Sequence, residues 1–296
     1  MRRPGPGAVS LPKDTHSGSP CALPAGHGLV SLRVDPTLFL VLVGLAAAIG
    51  AAMNAVAGGG TLVTFPALIA LGVPPITANV TSTVALWPGT MASMWGYRRE
   101  LVGAKRWAVA FAIPSFVGGA IGAVLLLQTP ERHFSVIVPW LILGATALFI
   151  AQQPLMRAFT SGGGVRAPIQ GADGNLLAPS AAFLVYQFGV SIYGGYFGAG
   201  AGILMLAALG LMGLTNIHQM NGLKNWGGAV MNFVAVVIFA ISGTVNWPIG
   251  FAMAVGASIG GIGGSLLAQR VGQTWVRRAI VAIGLGSGFA MLFNLI

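Results

Sequence analysis

The chain has 296 residues, of which 55% are hydrophobic and 7% charged, with a net charge of +10. Soluble domains carry roughly a quarter charged residues, so this composition cannot cover a water-facing surface. The basic residues stand in short clusters between apolar runs ("YRREL", "AKRW", "WVRRA"), as cytoplasmic membrane loops do; no basic stripe interleaved with stacking aromatics points to nucleic acid.

In chain order, residues 1–36 are rich in Gly, Pro and Ser and read as a disordered tail. They hold the single cysteine, Cys21, which excludes an internal disulfide and a multi-cysteine metal site. A span needs about 20 apolar residues. Candidates are 37–57, 80–97, 107–127, 134–152, 179–198, 222–242, 247–268 and 275–295. Two shorter apolar pieces, 61–71 and 203–213, each follow a glycine cluster. Eleven helical residues reach only about 16 Å, half a hydrocarbon core. The polar, Gly-rich stretch 153–178 reads as a linker between a first transmembrane repeat, 37–152, and a second, 179–296.

The two halves match at an ungapped offset of 142. Gly58 falls on Gly200, Gly60 on Gly202, Leu62 on Leu204, Asn79 on Asn221, and Gly118, Gly119 and Gly122 on Gly260, Gly261 and Gly264. Counting each short piece as a crossing gives an odd number of elements per half, which inverts the second half. With the N-terminus outside, the clusters at Arg98, Arg157 and Arg277 then all face the cytoplasm, leaving Arg33 and Arg132 as exceptions to the positive-inside rule. The expected fold is an all-α polytopic membrane protein of two related, inverted halves, with about eight full spans and two short Gly-preceded helices. The tryptophans Trp107, Trp247 and Trp275 stand at span starts, as interfacial anchors do.

Glycine breaks inside apolar segments are tolerated where the freed backbone groups line a cavity. Matching breaks in two halves point to a transport site; close helix packing is the other reading. Gly118, Gly122, Gly256, Gly260, Gly264, Gly284 and Gly288 are read as packing positions. Gly58, Gly59 and Gly60 with Gly200 and Gly202 are read as breaks whose following helices aim backbone amides at an anion. The cluster "ITANVTSTV" offers Asn79, Thr81, Ser82 and Thr83. Asn79, Thr81 and Ser82 are read as substrate ligands or as N-caps of the following helix, two compatible roles. The matching cluster "IHQMNGLKNWGG" holds His218, Asn221, Lys224 and Asn225. An intramembrane lysine is costly and is a functional hypothesis by default; the alternative is a side chain that snorkels to water. His218 is a candidate proton relay or an interfacial hydrogen-bonding residue.

The five acidic residues, Asp14, Asp35, Glu100, Glu131 and Asp173, lie in tail or loops. A span without carboxylates disfavours cation pumping, paired-carboxylate catalysis and most metal sites. One lysine with amides, hydroxyls and helix N-termini suits a small anion, with no cofactor and no metal.

The segment "AVAGGGTLVTFPALIALGVPPITANVTSTVALWPGTMASMWGYRREL", with "FGAGAGILMLAALGLMG" and "HQMNGLKNWGGAVMNFVAVVIFAISGTVNW", resembles the sulfite exporter TauE/SafE family over roughly 38–296. The resemblance implies an inner-membrane, multi-pass transporter of two related halves, moving sulfite, sulfonates or other small organic anions. Ala201, at the middle of the second glycine cluster, departs from the family's triple glycine. The expectation is a secondary anion transporter working by alternating access, an exporter rather than an enzyme. Lys224 is its attractive charge, and Asn79, Thr81, Ser82, Asn221 and Asn225 are its polar ligands. The alternative is a membrane scaffold, in which the two polar clusters need not converge.

Overall fold

A proline fixes the φ that suits a first helical turn, and its missing N–H has no partner to lose there. Helices α1 (Pro36–Ala57) and α3 (Pro75–Gly96) both open in this way. Between them lies the short α2 (Thr61–Ala70). A 3-10 turn at Arg98–Leu101 leads to α4 (Lys105–Gln128) and α5 (Glu131–Ser161). The second half repeats the series: α6 (Ala181–Tyr196), short α7 (Ala201–Leu211), α8 (Ile217–Ser242), α9 (Trp247–Leu267) and α10 (Gln273–Leu292). The structure is a computed structural model that describes residues 35–161, 179–214, 216–267 and 273–293. Most of the expected tail, residues 162–178 of the expected linker, and Arg33, Arg166 and Arg270 lie outside the described residues. Residues 153–161 of that linker are helical and continue α5.

Five of these helices, α1, α4, α5, α8 and α9, contain stretches long and apolar enough to cross a bilayer. The other three expected spans correspond to α3, which carries Asn79, Thr81, Ser82 and Thr83, to the 16-residue α6 and to α10. Large apolar side chains cover the outside: Leu38, Val41, Leu45 and Ile49 along α1, and Phe251, Val255, Ile259 and Ile262 along α9. Their spacing of three or four residues is one helix face, and such a face suits hydrocarbon. This is a polytopic, all-helical membrane protein.

Helices α3 and α8 begin five residues earlier than expected, and the reason is capping. The Asn216 side chain accepts from the backbone N–H groups of His218 and Gln219 at 3.0 and 3.2 Å, starting α8 at Ile217. Glu131, at the start of α5, accepts from the Ile76 N–H at 2.9 Å and starts α3 at Pro75. Asn79, Thr81 and Ser82 therefore lie inside α3, and the N-cap reading of them is overturned. Trp107 is also not an interfacial anchor: it is fully buried against Phe111 and Phe183. Trp247 is partly exposed and packs on Phe251.

Exchanging the halves maps the packing onto itself. Helix α1 packs on α9 as α6 packs on α4, α3 on α9 as α8 on α4, and α2 on α10 as α7 on α5; α3 meets α8 and α5 meets α10. Gly256, Gly260 and Gly264 of α9 lie so close to Gly44, Ala48 and Ala52 of α1 that a Cβ would collide with backbone. Gly118 and Gly122 of α4 stand likewise against Phe188 and Ile192 of α6. The Trp87 indole N–H donates to the Ala229 carbonyl at 3.1 Å, linking a position to its own repeat counterpart.

The offset is not uniform. Helices α3, α4 and α5 begin 142 positions before α8, α9 and α10, but α2 begins only 140 before α7. One of the two extra residues is in α7 and the other in the connection after it. The buried positions Val43, Ala47 and Ala51 of α1 correspond to Phe183, Gln187 and Ser191 of α6, again at 140. The left-handed glycines that end these helices follow suit, Gly58 with φ 84° and Gly198 with φ 80°. The ungapped pairing of Gly58 with Gly200 is thus two residues out of register. The structural partners of Gly58 and Gly60 are Gly198 and Gly200, and the alanine in the middle place is Ala199, not Ala201.

Candidate functional site

The two breaks meet. Gly58, just past the end of α1, lies against Gly202 in the first turn of α7, where a Cβ on Gly58 would come 2.9 Å from the Gly202 backbone. Gly202 in turn faces Lys224, whose Cδ would be 3.2 Å from a Cβ there. Only hydrogen atoms on both glycines permit this approach, which brings the end of one half's first helix to the start of the other half's short helix.

Lys224 sits about 10 Å along α8 from its first residue, and 3% of it is exposed. It does not snorkel. Its ammonium donates to the Asn54 carbonyl at 2.8 Å and to the Ala55 carbonyl at 3.4 Å, both in the last turn of α1. The Asn54 carbonyl also accepts from the Gly58 N–H at 3.0 Å, and both carbonyls belong to the negative end of the helix dipole. The opposite half contributes a related contact: the Asn79 side-chain amide donates to the carbonyl of Tyr196, the last residue of α6, at 2.9 Å. Each half thus ties off the first helix of the other.

A cavity of about 50 Å³ opens beside Lys224. That is several times the roughly 10–15 Å³ a water molecule requires. Both halves line it: Asn54, Thr61, Thr83, Leu86 and Thr90 from the first, and Gly198, Ala201, Gly202, Met205, Lys224, Asn225, Gly228, Met231 and Asn232 from the second. Thr83 and Asn225, Leu86 and Gly228, and Thr90 and Asn232 are repeat counterparts at 142, so the cavity lies where the halves face each other. The Thr83 and Thr90 hydroxyls donate back to the Asn79 and Leu86 carbonyls at 2.9 and 3.2 Å. Their oxygen lone pairs are left for the cavity, while the ammonium, with three donors and two carbonyl partners, keeps one to spare.

The residues singled out from sequence divide. Lys224, Asn225 and Gly202 line the cavity. Gly58, Gly59 and Gly60 form the turn after α1, and Gly200 is the residue before α7. Asn79 and Asn221 are buried, each with a side-chain oxygen that has no hydrogen-bond partner, and neither lines the cavity. Thr81 faces α9, accepting from the Asn246 N–H at 3.0 Å, and Ser82 bonds the Thr64 hydroxyl on α2 at 2.5 Å. His218 stands in the first turn of α8, half-buried and stacked on Tyr97, away from the cavity. Burial and, secondarily, Glu100 push the Tyr97 phenol above its ordinary pKa. Among the described residues no group of His, Cys, Asp or Glu is arranged to hold a metal ion.

Sequence reasoning passed over Asn54, Thr61, Thr90 and Asn232. Two of them were within reach: Thr90 and Asn232 are both polar and fall together at the repeat offset, on the face that carries Thr83 and Asn225. Asn54 and Thr61 flank the first break but belong to different helices, and only the turn folds them toward one point.

Comparison with known proteins gives the family. No solved structure matches the chain. A "Probable membrane transporter protein" of Haemophilus influenzae is 27% identical over 268 residues, covering 90% of this chain and 98% of its own. The "Probable membrane transporter protein YfcA" of Escherichia coli K12 is 28% identical, over 88% of this chain and 92% of its own. The "Probable membrane transporter protein ORF9" of a Sinorhizobium species is 27% identical, over 84% and 90% respectively. The sulfite exporter TauE/SafE family model matches residues 41–291, nearly the whole of both helical halves, and the chain belongs to that family.

Proposed function

We propose that this protein is a secondary transporter, an exporter of a small anion such as sulfite or an organosulfonate across the inner membrane. The observation that carries the reading is the buried Lys224 ammonium beside a small polar cavity at the junction of two glycine breaks. A lone ammonium in a bilayer is costly unless it serves a charge. The Asn54 and Ala55 carbonyls supply partial negative charge in the empty state. An anion in the cavity supplies a full one and competes for the same donors, which loosens the tie between α8 and the end of α1. The two halves, inverted relative to each other, then rock about the cavity and expose it to one face at a time.

The size of the cavity favours an oxyanion of a few heavy atoms over a bulky carboxylate. A scaffold without a permeation path gains nothing from a charge buried at this depth. No acid–base pair beside the cavity supports a reaction on the bound molecule, so the reading is transport of an unmodified anion.

Counterflow tests it. Purified protein in liposomes preloaded with sulfite should accumulate labelled sulfite, and small sulfonates in the preload should substitute. Counterflow no faster than in protein-free liposomes, across sulfite, small sulfonates and small carboxylates alike, would overturn the proposal.

A further inference from the structure

Beyond the cavity, α6 and α4 carry a second buried polar group. The Gln187 side-chain amide donates to the Ser115 hydroxyl at 3.1 Å and to the Ser191 hydroxyl at 3.2 Å. Ser191 passes its own proton to the Gln187 backbone carbonyl at 2.7 Å. In this arrangement Ser191, donating to that carbonyl, accepts from the amide nitrogen. The Gln187 side-chain oxygen is left with no partner. All three residues are completely buried. An acceptor so placed in a membrane is a standing cost unless something arrives to donate to it.

The first half has nothing of the kind. The structural counterparts of Gln187, Ser191 and Ser115 are Ala47, Ala51 and Ala257, all buried. Close helix packing is therefore achieved there by alanine alone, and the polar set in the second half is not a requirement of the fold. Its position is also particular. The Gln187 amide nitrogen, the Ser115 hydroxyl and the Met205 sulfur surround the open face of Gly227 at 3.5, 3.6 and 3.7 Å from where a Cβ would stand. Met205 and the neighbouring Gly228 line the cavity. The flexible Met205 thioether thus borders both the cavity and the polar set, and such side chains repack readily.

We infer that Gln187, Ser115 and Ser191 form a second polar station for the transported oxyanion and its hydration water. It is reached from the cavity when Met205 swings aside. The inference rests on the transport reading above and adds a route. The anion leaves along α4, α6 and α8, not along α1, α3 and α9, where alanines stand at the equivalent positions. Water, or a proton on the anion, donates to the free Gln187 oxygen, and the Ser115 hydroxyl is free to donate to an anion oxygen.

Two measurements test it. The first needs no substrate. In a Cys21→Ser background, Gln187→Cys and Ala47→Cys are exposed in liposomes to the anionic, membrane-impermeant reagent sulfonatoethyl methanethiosulfonate. Gln187→Cys should react at least tenfold faster; equal rates, or no reaction at either position, would overturn the station. The second is sulfite flux. Gln187→Leu should fall at least tenfold with an unchanged or raised thermal midpoint, and Ser115→Ala, which installs the first-half residue type, should fall several-fold. Wild-type flux in both variants, or loss only in proportion to unfolded protein, would show a structural role instead. If the wild-type protein moves no sulfite, the proposed substrate fails while the labelling contrast still decides the station.

Discussion

Replacing Lys224 by methionine separates binding from folding. Methionine fills the same slender volume beside Gly202 but carries no charge. The lost charged hydrogen bond to Asn54, at 2.8 Å, is worth about 1.5–3 kcal/mol. Removing a buried ammonium recovers a desolvation penalty of several kcal/mol. The two offset, so the thermal midpoint should move by only a few degrees. An anion in the cavity has no such compensation. At an effective dielectric constant of about 20 and a separation of about 4 Å, the charge pair contributes on the order of 4 kcal/mol. At 1.4 kcal/mol per tenfold that is roughly a thousandfold in affinity. Sulfite counterflow in liposomes, measured beside a thermal-unfolding scan of the same preparation, reads both quantities. Uptake within threefold of wild type in a folded Lys224→Met protein would refute the assignment of the lysine to the substrate.

Gly58→Ala should be severely destabilising. It places a side chain at φ 84° and drives a Cβ to 2.9 Å from the Gly202 backbone, where neither helix end can give way. A fall in the thermal midpoint of well over 5 °C, or failure to recover a monodisperse protein, is the expected outcome; an unchanged midpoint would mean the breaks are not in contact. The proposed inversion of the halves would place Arg98 and Arg277 on the same, cytoplasmic face. Single cysteines at these positions, in a Cys21→Ser background, should be labelled from one side only; labelling from opposite sides would remove the inverted-repeat topology.

The sequence alone determined the solvent. With 7% charged residues and apolar runs of spanning length, only a bilayer could accept this chain. It also determined the repeat, because Asn79 with Asn221 and the α4 and α9 glycines recur in phase. It marked Lys224, since a lone cation amid apolar residues announces its own cost. Where Lys224 points was a different question. Snorkelling and burial are compatible with the same string of residues. What decides between them is the packing of α8 against the end of α1, two segments 170 positions apart.

The glycine clusters show the same division. Their presence was plain, but their pairing was not, because two extra residues in and after α7 shift the register while ungapped comparison cannot see them. The helix starts resolved it: α2 and α7 begin 140 positions apart, which pairs Gly58 with Gly198 even though Gly200 also has a positive φ. Thr81 and Ser82 are hydroxyls in a promising cluster, yet helical geometry turns them toward α9 and α2 and leaves Thr83 to face the cavity. A helix distributes adjacent residues around its axis, so a polar cluster in sequence becomes a site only on the face where the partner helix leaves room.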